Sequence, residues 1–267
     1  MNKLLTVTLG LALSTSVLAS NQAREIMEKV DARDDGSSMI SNMQMTLIDK
    51  KGKERNRQMR TYSKDIDAST EHKTIFFLSP SDVKNTAFLT YDYSDDNKDD
   101  DQWMYLPALK KTKRIPASDK DAAFMGSDFS YADMTDKELD DYTFKLIKKS
   151  TIKRKEGKVP VWVVESTPVN QDVIDETGYT KSTLYIRQDN YVLTRAKFYL
   201  KKGSRVKYMD VRKLELIDGI WVAMQTTMTT KQGKSTLHKT ILTNSDIEIN
   251  KEIGADMFTI RTIEKGL

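Results

Sequence analysis

The chain of 267 residues contains no cysteine, which removes thiol nucleophiles, disulfides, cysteine-held zinc and iron–sulfur clusters together. Only His72 and His238 remain for imidazole chemistry, far apart in sequence and both among strand-like residues. A Gly-x-Ser-x-Gly elbow, a phosphate-cradling glycine loop and a His-Glu-x-x-His helix are all absent from the sequence. The acidic stretch from Asp92 to Asp101 begins like a calcium loop with Asp95-x-Asn97-x-Asp99, but it has no glycine at the sixth position. Leu106 stands where a bidentate glutamate is needed. That stretch reads as a solvated loop between strands. Two-acid hydrolysis stays open only because carboxylates are plentiful. The residue types therefore argue for a protein that is not an enzyme and needs no cofactor or metal.

Binding chemistry is better represented. Methionine occurs 13 times, and thioether side chains are unbranched and polarizable, so they conform either to an irregular core or to apolar guests of variable shape. Met39, Met43, Met45 and Leu47 fall on one face of one strand. A basic run, Lys110, Lys111, Lys113 and Arg114, and a second basic stretch from Lys145 to Lys158 could meet anionic headgroups or an acidic partner, or could be plain solvated hairpins. With 43 basic against 39 acidic residues, the net charge of +4 describes a mixed surface, not a nucleic-acid binder.

The elements that must hold these groups are mostly strands. After Lys3 an uncharged run from Leu4 to Ala19 reads as a secretory signal peptide cleaved after Ala19, leaving residues 20–267 as a single domain exported to a periplasm. Residues 21–33 place Ala23, Ile26, Met27 and Val30 at helical spacing. About eleven strands follow, most with period-two alternation, and Asp189-Asn190, Lys202-Gly203, Asp218-Gly219 and Gln232-Gly233 join the last of them with no room for crossover helices. A sheet that wide must curl, because strand twist accumulates. The inward set then includes Leu89 and Tyr91, Leu184 and Ile186, Ala196 and Phe198, and Val222, Met224 and Met228. The amphipathic helix is the obvious filling of the hollow. Between Pro107 and Met134 lies a long loop rich in aromatics, with Phe124, Phe129 and Tyr131 around Gly126, suited to form a lid or to seal one end of a core.

The segment Trp103, Tyr105, Leu106, Pro107, Lys110, Arg114, Ile115, Gly126, Asp128, Phe129, Tyr131 and Asp133 resembles the signature of the outer-membrane lipoprotein-sorting family, similar to the periplasmic carriers LolA and LolB. The tail Ala255-Asp256-Met257-Phe258-Thr259-Ile260 resembles that family's ending. The resemblance implies an unclosed antiparallel β-barrel wrapped around helices, mainly β with few helices, with an apolar cavity for acyl chains. It also implies acylated cargo, transient membrane contact and association with an inner-membrane exporter of the resistance–nodulation–division class. On this reading the cavity is lined by Met39, Met43, Met45, Leu47, Leu89, Tyr91, Trp103, Tyr105, Leu184, Ile186, Phe198, Val222 and Met224. The lid or partner loop carries Lys110, Lys111, Lys113, Arg114, Phe124, Gly126, Asp128, Phe129, Tyr131 and Asp133. The rival expectation is a non-transporting accessory subunit that docks on an envelope exporter through the Lys110 to Arg114 run.

Overall fold

The computed structural model describes residues 11–94, 98–155 and 157–267; the first ten residues of the expected signal peptide lie outside that range, as do Asp95, Asp96, Asn97 and Glu156. Helix α1 (Leu11–Asp31) leads into thirteen strands. These are β1 (Ser38–Asp49), β2 (Glu54–Asp67), β3 (Thr70–Ser79), β4 (Ala87–Tyr93), β5 (Asp101–Leu106), β6 (Lys111–Arg114) and β7 (Tyr142–Arg154), then β8 (Gly157–Pro168), β9 (Tyr179–Arg187), β10 (Leu193–Leu200), β11 (Arg205–Ile217), β12 (Ile220–Gln232) and β13 (Ser235–Ile249). Two short helices, α2 (Gln171–Thr177) and α3 (Ile260–Lys265), complete the regular structure. The expectation of about eleven strands is thus slightly low, and the short β6 falls in the basic run read from sequence as loop.

All thirteen strands form one antiparallel sheet in the order β6-β5-β4-β3-β2-β1-β13-β12-β11-β10-β9-β8-β7. β1 and β13 pair at the centre, Met45 opposite Leu242. From there the chain steps outward through β2 to β6, and it must next reappear at the far edge as β7. Residues 115–141 make that crossing over the inner face of the curled sheet, in short 3₁₀ turns such as Phe124–Gly126 and Tyr131–Met134. No ladder joins β6 to β7, so the barrel is unclosed. The sequence is built for this route: a connection between distant edges runs across the hollow, and its Phe124, Phe129 and Ala132 are buried there.

Helix α1 takes the other half of the hollow. Its Ala23, Ile26 and Met27 join Phe129, Phe144, Leu184, Ile186 and Phe198 in one buried cluster. Gly36 turns the chain from α1 into β1 at a φ of +86°, and a Cβ there would stand 2.6 Å from Ile249 Cγ2. Only glycine meets both conditions. Strict alternation gives β3 to β5 two apolar faces. Phe77, Phe88 and Met104 point inward to Phe124. Phe76, Leu89, Trp103 and Tyr105 point outward against Ile253, Phe258 and Ile263 of the C-terminal segment, which caps the outer face.

Candidate functional site

Between α1, the crossing strap and strands β9 to β12 lies a cavity of about 370 Å³, within the roughly 300–1,000 Å³ of ligand clefts. Met27 and Val30 of α1 line it, facing Leu184, Phe198, Met209 and Met228 of the sheet. Three of these six are methionines, whose flexible stems let such a wall adapt to a guest.

The strap over this cavity is held by buried carboxylates. Asp128, whose side chain is 1% exposed, accepts a hydrogen bond from Thr240 Oγ1 at 2.7 Å and from Thr230 Oγ1, and lies 2.8 Å from His238 Nδ1. Strap and strands β12 and β13 are thereby joined. Asp133 caps the Tyr131–Met134 turn by accepting from Ser130 N at 2.8 Å. It also accepts from Tyr179 Oη at 2.8 Å and has Lys207 Nζ at 3.7 Å. Burial, with Asp133 alongside, raises the Tyr179 phenol well above its ordinary pKa, so the tyrosine remains a donor. Arg57 donates to the Met125 carbonyl from the opposite arm. Lys120, buried in the strap, reaches Glu176 of α2 at 2.5 Å.

The mouth beside the cavity is acidic. A cleft of about 510 Å³ is lined by Asp31, Asp35, Asp65, Glu71 and Asp136 among others, and shares Asp31, Asp35, Asp136, Lys137 and Leu139 with the apolar cavity. Burial pushes Asp31, Asp35 and Asp65 up from the usual carboxylate range, and Asp136 adds to the push on each. Glu71, Asp92 and Asp136 bring their oxygens within 4.8 Å of one another, a spacing that could hold a metal ion. Lys73 fills that position: its Nζ lies 2.7 Å from Glu71, 3.3 Å from Asp92 and 3.5 Å from Asp136. Burial alone would lower Lys73, but Asp136, Glu71 and Asp92 outweigh it and keep the ammonium charged. The trio is a lysine-centred clasp between β3, β4 and the strap, with an ammonium where a metal cation would sit.

The residues expected to line the cavity are distributed over four places. Leu184 and Phe198 border it, and Ile186 is buried in the same cluster. Met45 and Leu47 are buried under Phe124, with Met43 packed beside them, in the filled half of the hollow. Leu89, Tyr91, Trp103 and Tyr105 lie on the outer face beneath the C-terminal segment. The reason is that β4 and β5 are apolar on both faces, so alternation alone could not say which face was inner. Met39, Val222 and Met224 form a separate cluster with Ile220 and Ile249.

The loop residues divide as well. Lys110, Lys111, Lys113 and Arg114 are exposed on the edge hairpin, Arg114 pairing with Asp101. Phe124, Asp128 and Phe129 are buried, Tyr131 and Asp133 partly so, and Gly126 is exposed at a φ of +70°. Sequence reasoning did not select Met27, Val30, Leu193 or Met209 as lining, nor the Lys73 clasp. For the clasp a faint signal existed, since Glu71 and Lys73 share a strand face at i and i+2. Asp136 comes from the strap, and no spacing announces it.

A family model described only as that of an uncharacterized protein matches residues 69–265. No curated protein matches the chain. Among solved structures, a domain assigned to the outer membrane lipoprotein-sorting proteins from Vibrio parahaemolyticus is 30% identical, with a TM-score of 0.81 over 92% of this chain and 99% of that one. A DUF1329 family protein from Desulfovibrio piger ATCC 29098 is 27% identical, with a TM-score of 0.81 over 91% and 98% respectively. A LolA superfamily protein from Nitrosomonas europaea shares the fold at 19% identity and a TM-score of 0.66, covering 90% and 98%.

Proposed function

The chain belongs to the outer membrane lipoprotein-sorting protein family, and from that premise we propose that it is a periplasmic carrier whose apolar cavity shelters the acyl chains of lipids or lipoproteins during transfer toward the outer membrane. The observation that carries this reading is the cavity of about 370 Å³ against the Met27, Met209 and Met228 wall, covered by a helix and a strap and not by the sheet itself. Each buried methylene is worth about 0.8 kcal/mol, so a long acyl chain does not leave a membrane for water at a useful rate without such a shelter. Release needs binding that is adaptable and not too tight, which a thioether-rich wall supplies. The transfer requires no bond to be made or broken in this chain. No helix among the described residues is long and apolar enough to cross a membrane. Export through a signal peptide cleaved after Ala19, with residues 20–267 as one carrier domain, belongs to the same proposal, as does handover to or from an exporter of the resistance–nodulation–division class.

Native mass spectrometry of the mature protein, gently purified from its own envelope, tests the reading. Acylated cargo on the wild type, and its loss in Met209→Trp, which fills the cavity, is the expected result. Bare protein throughout, with no uptake of a fluorescent fatty-acid probe, would overturn it.

A second reading, a non-transporting accessory subunit, draws on the exposed Lys110, Lys111 and Lys113 of the edge hairpin. Reversing those charges abolishes complex formation and spares probe uptake if docking is the whole function.

A further inference from the structure

Lys137 stands where the strap leaves the hollow, and it lines the apolar cavity together with both polar clefts beside it. Its ammonium lies 4.9 Å from the Phe198 ring centroid, 5.1 Å from Tyr179 and 6.0 Å from Tyr142, a three-sided aromatic surround. Among the described residues it makes no hydrogen bond and no ion pair. Two carboxylates of the strap near it have other partners. Asp133 holds Tyr179 and Lys207, and Asp136 belongs to the Lys73 clasp. Burial lowers the Lys137 pKa, Asp133 opposing that effect. A partly desolvated ammonium with rings on three sides and no anion bonded to it stabilises the fold little, because ring quadrupoles replace only part of its hydration. It would gain most from an anion arriving with an apolar group attached.

Resting on the carrier reading above, we propose that Lys137 is the headgroup-binding residue of this cavity, and that the preferred cargo is an amphiphile with a single anionic head, a carboxylate or a phosphate. The tail lies against Met27, Val30, Leu184, Met209 and Met228, and the head meets the Lys137 ammonium at the neck, where the apolar wall gives way to water. Asp31, Asp35 and Asp65 at the rim favour the opposite charge, so the two sites make opposed forecasts. A head held at Lys137 responds to that ammonium, and a head left in the cleft responds to the acids.

Calorimetric titration of the mature protein with decanoate, decyl phosphate, decanol and decyltrimethylammonium, each below its micellar concentration, separates these forecasts. The expected result is that at least one of decanoate and decyl phosphate binds about tenfold tighter than decanol, the scale of a charge-assisted hydrogen bond. Which of the two anions leads tells carboxylate from phosphate. Lys137→Met removes that preference while decanol still binds, and Lys137→Arg keeps it. Equal binding of all four probes, or a preference that survives Lys137→Met, overturns the headgroup assignment and leaves the carrier reading standing. Tightest binding of decyltrimethylammonium overturns it in favour of the acidic rim. Binding of none of the four removes the cavity reading itself.

Discussion

The two arms of the sheet, β1 to β6 and β7 to β13, are built from similar alternating sequence and end as different objects. The first arm is filled on both faces: Met45, Met59, Phe77 and Phe88 meet Phe124 of the strap inside, and Phe76, Leu89 and Trp103 meet Phe258 outside. The second arm carries Lys181, Lys197 and Lys231 on its outer face, their ammoniums over the rings of Tyr199 and Tyr208, and leaves a hollow on its inner one. On the carrier reading, the first arm is the anchor and the second is the working surface. A sheet that must keep one part firm while another opens can do so by covering the firm part twice.

One pair of substitutions breaks or sharpens that contrast most directly. Leu89→Ala in the first arm removes a side chain packed on all sides, and is expected to cost about 4 kcal/mol in urea unfolding while leaving probe binding per folded molecule unchanged. Leu184→Ala in the second arm borders space that is already empty, and should cost only about 2 kcal/mol while enlarging the cavity and altering the affinity for decanol. Equal costs, or a binding change at Leu89, would erase the distinction.

Between these two in size, Lys73→Met leaves Glu71, Asp92 and Asp136 without their cation and should cost about 3 kcal/mol at neutral pH. Burial already raises the Glu71 and Asp92 carboxyls, with Lys73 acting against it. The deficit therefore shrinks as pH falls and those carboxyls take up protons; a deficit that grows in acid would contradict the clasp.

Asp100 is pushed up to about 6, by burial first and then by Asp92. A folded-state value above the ordinary 3.8 means that the folded protein holds its proton longer than the unfolded chain, so stability is lost as pH rises from 3.8 to about 6. Asp100→Asn keeps an acceptor for the Tyr93 N–H and should be more stable than the wild type by about 1–2 kcal/mol at neutral pH, with no gain below pH 3.8. Melting curves across that window read it out. The smallest effect belongs to the outer face of the second arm: Lys181→Ala, which loses an exposed pair with Glu165, should shift stability by about 0.5 kcal/mol or less.

Sequence reasoning reaches the fold because the fold is written in local signals. Alternation from Met39 to Ile247, short polar links such as Asp218-Gly219 and the helical spacing of Ala23, Ile26 and Met27 together require a wide curled sheet around a helix. The site is less accessible for a reason visible at Leu89 and Leu184. Both sit in clean alternation, and both are buried, at 0% and 7% exposure, on opposite faces of the sheet. What separates them is the C-terminal segment, which turns an outer face into a second core, and long-range cover of that kind leaves no mark on the strand it covers. Lys137 was missed for a related reason, since its aromatic neighbours come from β7, β9 and β10.

The strap has both of its ends rooted in edge strands, β6 on one side and β7 on the other. A flap hinged at one margin could swing clear and leave the opening as wide as before. A belt buckled at both margins can only slacken or tighten, so its escape from the hollow and the spreading of the two edges are mechanically a single coordinate. Cutting the chain between residues 116 and 119, where the belt is exposed, would separate those two movements and let each be measured alone.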